Sequence, residues 1–111
     1  MVWMKGGELV VHYITYELVG IRLPDETAKI EATIKSFGDA YQFQKHAWLV
    51  ESEASNHEIS EALVTVLRPK DKLLVMRIHK DWTAANVAQE ELDWLGGRNY
   101  TGVGDPPLFR R

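Results

Sequence analysis

Leu9-Val10-Val11-His12-Tyr13-Ile14-Thr15-Tyr16-Glu17-Leu18 is the stretch that decides the fold. A run this rich in β-branched, aromatic and aliphatic residues reads as a strand. Side chains alternate across a strand, so Val10, His12, Ile14, Tyr16 and Leu18 share one face. Leu9, Val11, Tyr13, Thr15 and Glu17 share the other. Neither face is polar throughout, which predicts a central strand covered on both sides. Glu17 closes the strand, with Gly20 close behind. A carboxylate at the end of a central strand is a natural place for metal or acid–base chemistry.

Residues 1–8 read as a short lead-in, with Trp3 as a residue that docks on the body. Beyond the strand, Pro24 fits the first turn of a helix, and Asp25 and Glu26 suit its positive dipole end. Ala28, Ile30, Ile34 and Phe37 keep helical spacing to the Gly38 stop, predicting a helix over 24–37. The segment from Asp39 to Ser52 is too long for one straight strand. Its polar trio Gln44-Lys45-His46 divides it into strands near 40–44 and 47–52. Ser55 and Glu58 have capping-box spacing. Ile59, Ala62, Leu63, Val66 and Leu67 then continue a helix until Pro69. Leu73 to Ile78 reads as another strand, and Val87, Ala88, Leu92 and Leu95 mark a third helix over about 84–95. Residues 98–111 form a Gly- and Pro-containing tail, read as an extension or an arm that lies on a partner.

The order strand, helix, strand, strand, helix, strand, helix is the split β-α-β plan of an α+β, ferredoxin-like βαββαβ domain over residues 1–97. Two helices cover one sheet face. The other face carries large apolar side chains from the first and last strands, which predicts a two-fold homodimer through that face or a cover supplied by the third helix.

With 111 residues, a net charge of −3 and 26% charged residues, the chain has the composition of one globular domain without a strongly basic nucleic-acid footprint. Cysteine is absent, which excludes disulfides, thiolate metal sites and cysteine nucleophiles. The N-terminus lacks the layout of a signal peptide, and no stretch approaches the roughly 20 apolar residues of a membrane span. The expected compartment is the cytoplasm.

Tyr13-Ile14-Thr15-Tyr16-Glu17 resembles the first strand of the small CRISPR-associated endoribonuclease family, the second protein of the adaptation complex, which ends that strand with tyrosine-aspartate. Gly38 through Val50, with Phe43-Gln44-Lys45 and Ala47-Trp48, is similar to that family's central hairpin. Asp71-Lys72-Leu73-Leu74-Val75 falls where its last core strand begins. The likeness spans roughly residues 9–80, and the virulence-associated protein D family shares the plan. The resemblance implies a ferredoxin-like homodimer whose strand-end acid lies beside its symmetry mate and is linked to a divalent metal, magnesium or manganese. Glu17 stands at that position, one methylene longer than aspartate. His46 stands where the family has serine, and Val19, Gly20 and Ile21 precede the first basic residue, Arg22.

The topology places the end of the first strand beside the starts of the third and fourth. Lys45 and His46 then flank Glu17 on one side, with Asp71 and Lys72 on the other. Glu17 and His46 are the candidate catalytic pair, Glu17 the candidate metal ligand, and Arg22, Lys45 and Lys72 the candidate phosphate contacts. The same cluster also reads as a polar rim that ends a sheet. His79-Lys80-Asp81-Trp82 falls at the far end and lacks zinc-site spacing. His12 reads as a buried histidine bonded to backbone, Trp48 as core, and Trp94 as a helix-docking or dimer residue. Two functions remain open: a metal-dependent nuclease or nucleic-acid-binding relative, and a non-catalytic dimeric interaction module.

Overall fold

β1 (Val10–Glu17) lies inside a four-stranded antiparallel sheet, flanked by β3 (Ala47–Ser52) and β4 (Lys72–Ile78), with β2 (Asp39–Gln44) outside β3. The structure is a computed structural model that describes residues 9–98 and Tyr100. The expected lead-in, with Trp3, and the end of the tail lie outside the described residues. The strand order β2-β3-β1-β4 and the helices α1 (Pro24–Lys35) and α2 (Asn56–Val64) give the ferredoxin-like α+β arrangement. A third helix, α3 (Gln89–Gly96), follows.

Alternation along β1 sorts the core into two layers. Ile14 and Tyr16 join Trp48 and Val50 of β3, Ile30 and Ile34 of α1, and Ile59 and Leu63 of α2. Burying one such aliphatic side chain is worth about 1.5–3 kcal/mol, so this layer dominates the stability. On the opposite face Val11 and Leu49 gather Leu95 and Tyr100, with Tyr13, Phe43, Ile78, Trp82 and Trp94 packed around them. The third helix therefore folds back over the second face, the alternative to a face-to-face dimer raised by the sequence.

Element ends follow local chemistry. Pro24 opens α1, and Glu26 accepts from the Leu23 N–H at 3.1 Å. The helix stops at Lys35, two residues before the expected end, yet Phe37 remains buried. Ser55 and Glu58 form the expected reciprocal cap, at 3.0 and 2.8 Å. α2 ends at Val64 rather than near Leu67, because Thr65 caps it and Asp71 accepts from the Arg68 N–H at 2.7 Å, bending the chain. α3 starts at Gln89, later than the apolar pattern suggested. Asn86 sits at φ 61°, outside helical space, and Glu91 accepts from the Ala88 N–H at 2.8 Å to open the helix there.

Candidate functional site

β1 ends where β3 and β4 begin. Thr15 pairs with Ala47, the Tyr16 N–H donates to the His46 carbonyl at 3.0 Å, and Glu17 lies opposite Lys72. Lys45, His46, Asp71 and Lys72 thus border Glu17, as the element order required. An open cleft of about 490 Å³ at this end is lined by Thr15, Tyr16, Glu17, Lys72, Leu73 and Leu74.

The side chains divide between the two sides of the sheet. The Tyr16 ring lies in the helix-side core, and the His46 ring stacks on it at 5.1 Å. Burial raises the Tyr16 phenol above its ordinary pKa, although the Trp48 Nε1–H donates to its oxygen at 3.3 Å. Glu17 follows Tyr16 and leaves on the opposite side. Its carboxylate meets the Lys72 ammonium at 3.6 Å, with both side chains largely exposed. His46 and Glu17 therefore share one end of the sheet without converging on one reacting atom.

Arg22 and Asp71 form the buried element of the rim. The Arg22 side chain is 6% exposed and donates to the Asp71 carboxylate, which is fully covered. Burial alone would raise that carboxyl. Arg22 and the N–H groups of Val19 and Arg68 overcome burial and hold its pKa below the ordinary value. The guanidinium expected to touch phosphates thus ties the loop after β1 to the start of β4. Beside it, Arg68 binds Glu26 through two nitrogens, at 2.7 to 3.1 Å. Among the described residues, Lys45 and Lys70 are exposed and make no ion pair.

Magnesium on a protein takes one or two carboxylates together with phosphates and waters. Here one carboxylate stands alone, already facing an ammonium. Among the described residues no three His, Asp or Glu side chains gather as a metal-binding group.

The remaining candidates fall elsewhere. His12 is buried, and its Nδ1 lies 2.6 Å from Asn56 Oδ1, a side-chain partner added to the expected backbone ones at Ala54 and Ser52. Trp48 is core, at 3% exposure. Trp94 docks the third helix: its Nε1–H donates to Asp39 at 3.4 Å, and the Arg98 guanidinium lies 3.9 Å from its ring. Arg98 also binds Asp39 and Glu51, at 2.7 and 2.9 Å. Sequence reasoning missed Asp71 as the organiser of the rim and Arg98 as a clamp. The spacing of Asp71, three residues after Arg68 across a Pro-containing turn, was the available signal for the first. No protein-family model matches the chain, and no curated protein matches it. No helix among the described residues is long and apolar enough to cross a membrane.

Proposed function

We propose that the chain is a homodimeric nucleic-acid-binding relative of the CRISPR-associated endoribonucleases it resembles, one that holds phosphates at the rim without hydrolysing them. The observation that carries this reading is the pattern of charge pairing. Asp71 is taken by Arg22, Glu26 by Arg68 and Glu17 by Lys72, while Lys45 and Lys70 stand exposed and without an ion-pair partner among the described residues. A rim with surplus ammonium groups binds phosphate. A lone, paired carboxylate with its imidazole on the other side of the sheet is a poor hydrolytic centre. Lys45 keeps the phosphate role expected from sequence, and Lys70 takes the place of Arg22 and Lys72, which Asp71 and Glu17 occupy.

The test is fluorescence anisotropy with labelled single-stranded RNA and duplex DNA over a range of salt, alongside cleavage assays with magnesium, manganese or chelator. Binding should weaken as salt rises. The Lys45→Glu/Lys70→Glu variant should bind at least about tenfold more weakly, with the salt slope reduced by about one per lost phosphate contact. Cleavage lost both on chelation and in Glu17→Ala would replace this reading with a metal-dependent nuclease. Neither binding nor cleavage would leave the non-catalytic protein-interaction module.

A further inference from the structure

We propose that the loop joining β1 to α1 is a wedge for duplex DNA, with Ile21 entering between neighbouring base pairs while Lys45 and Lys70 hold backbone phosphates. The inference rests on the reading above and names the form of nucleic acid that the rim takes.

The loop is built inside out. Ile21 is 89% exposed, and Val19 and Leu23 to either side of it are exposed as well. Arg22, the cation among them, is turned inward and covered. Water favours the reverse, with the guanidinium outside and the aliphatic groups covered. Single apolar residues scattered on a surface need no explanation. Three along one short loop, around a cation that is buried, mark a contact.

The loop is also held in place. Asp71 accepts from the Val19 N–H at 2.9 Å and from the Arg22 guanidinium, which in turn donates to the Val19 carbonyl at 3.4 Å. Glu26 fixes the far end through the Leu23 N–H at 3.1 Å. Gly20 makes the bend, at φ 82°. Ile21 is thus carried on a closed turn, and little conformational freedom is lost when it meets a partner. The covered Arg22–Asp71 pair presents the tip rather than touching the ligand.

Charge and size together identify the partner. Lys70 and Val19 line one open pocket of about 350 Å³ beside the loop. Lys45 precedes His46, whose carbonyl accepts from the Tyr16 N–H at the end of β1 from which the loop departs. Neither lysine has an ion pair among the described residues. An aliphatic tip between two such ammonium groups suits a polyanion with apolar surface behind its phosphates, which describes both nucleic acid and an anionic lipid surface. The size of the tip favours the first. One myristoyl chain holds a protein on a membrane only marginally, and the three side chains have fewer carbons between them. One projecting isoleucine is instead the size of the wedges that enter a base step and kink a duplex by about 20–90°. A single strand has no closed step to enter, and its bases gain most from aromatic platforms.

Energy transfer between dyes at the two ends of a short DNA duplex, at saturating protein, tests the wedge, with circular dichroism as a folding control. Wild type should bring the ends together by a bend of about 20–90°. Ile21→Ser should leave the duplex straight, with an unchanged salt slope because no phosphate contact is lost. Ile21→Leu, which keeps the apolar body, should restore the bend. Wild type that binds the duplex without bending it, or Ile21→Ser that bends it equally, overturns the wedge and leaves nucleic-acid binding standing. No binding to any nucleic acid overturns both. Sedimentation of wild type, but not of Ile21→Ser, with phosphatidylserine vesicles would then assign the tip to a lipid surface.

Discussion

His12 shows how one buried side chain sets a pH dependence. It is 2% exposed on the helix side of β1, and its Nε2 has no hydrogen-bond partner among the described residues. Burial lowers its pKa and the facing Arg77 adds to this, against the opposing pull of Asn56. The folded chain thus keeps the imidazole neutral where an unfolded chain begins to protonate. Stability from this residue is complete above about pH 6.5 and declines as pH falls below it. Urea midpoints compared between about pH 7.5 and about pH 5.5 should fall in wild type and change less in His12→Phe. Equal declines in both would place the sensitivity at another group. The rim residues follow a different logic: Glu17 and Lys72 form an exposed pair worth about 0–1 kcal/mol, whereas Arg22 and Asp71 are covered, and each needs the other.

At the level of elements, Gly38 is more than the helix stop its position suggests. A Cβ there would lie 2.0 Å from the Glu51 carbonyl oxygen, so the chain entering β2 passes directly against β3. Gly38→Ala should cost about 2 kcal/mol or more, because backbone rather than a flexible side chain must move. Gly96→Ala, with nothing within 4 Å, should be neutral or stabilising by up to about 1 kcal/mol. Chemical denaturation of the pair measures the contrast. Strands and helices with clean periodicity, β1 and α1 above all, were legible in the sequence to within a few residues. The start of α3 was not, because Ala84, Ala85 and Ala88 are good helix formers and the left-handed Asn86 that interrupts them carries no periodic signal. The candidate site was legible as a set of neighbours, since strand order alone brings Glu17, His46 and Lys72 together. The face of Glu17, opposite Tyr16, was legible by alternation; that of His46 was not, because it lies in the turn that follows the irregularity between Gln42 and Gln44.

Over the whole molecule, the two faces of the sheet are secured differently. Two helices pack a continuous apolar layer on one side. The short α3 on the other is secured by Arg98, whose guanidinium spans Asp39, Glu51 and the Trp94 ring. Arg98→Met should loosen that cover at a cost of about 2 kcal/mol, with amide exchange rising over residues 89–98 and little changed in β1. Uniform acceleration through the sheet would show instead that the two layers open as one. The order of strands also bears on how the chain is made. β1 precedes β3 and β4 in the chain and sits inside the finished sheet, so this interior strand emerges from the ribosome before either neighbour exists. It gains one flank only when Ala47 and its successors follow, and keeps a bare edge until Lys72 to Ile78 are added. Low in charge and free of proline, the stretch from Leu9 to Tyr16 has the composition of an aggregation-prone segment. The nascent chain is therefore most vulnerable while its β1 segment waits for partners, and truncation before β4 should yield insoluble rather than partly folded protein.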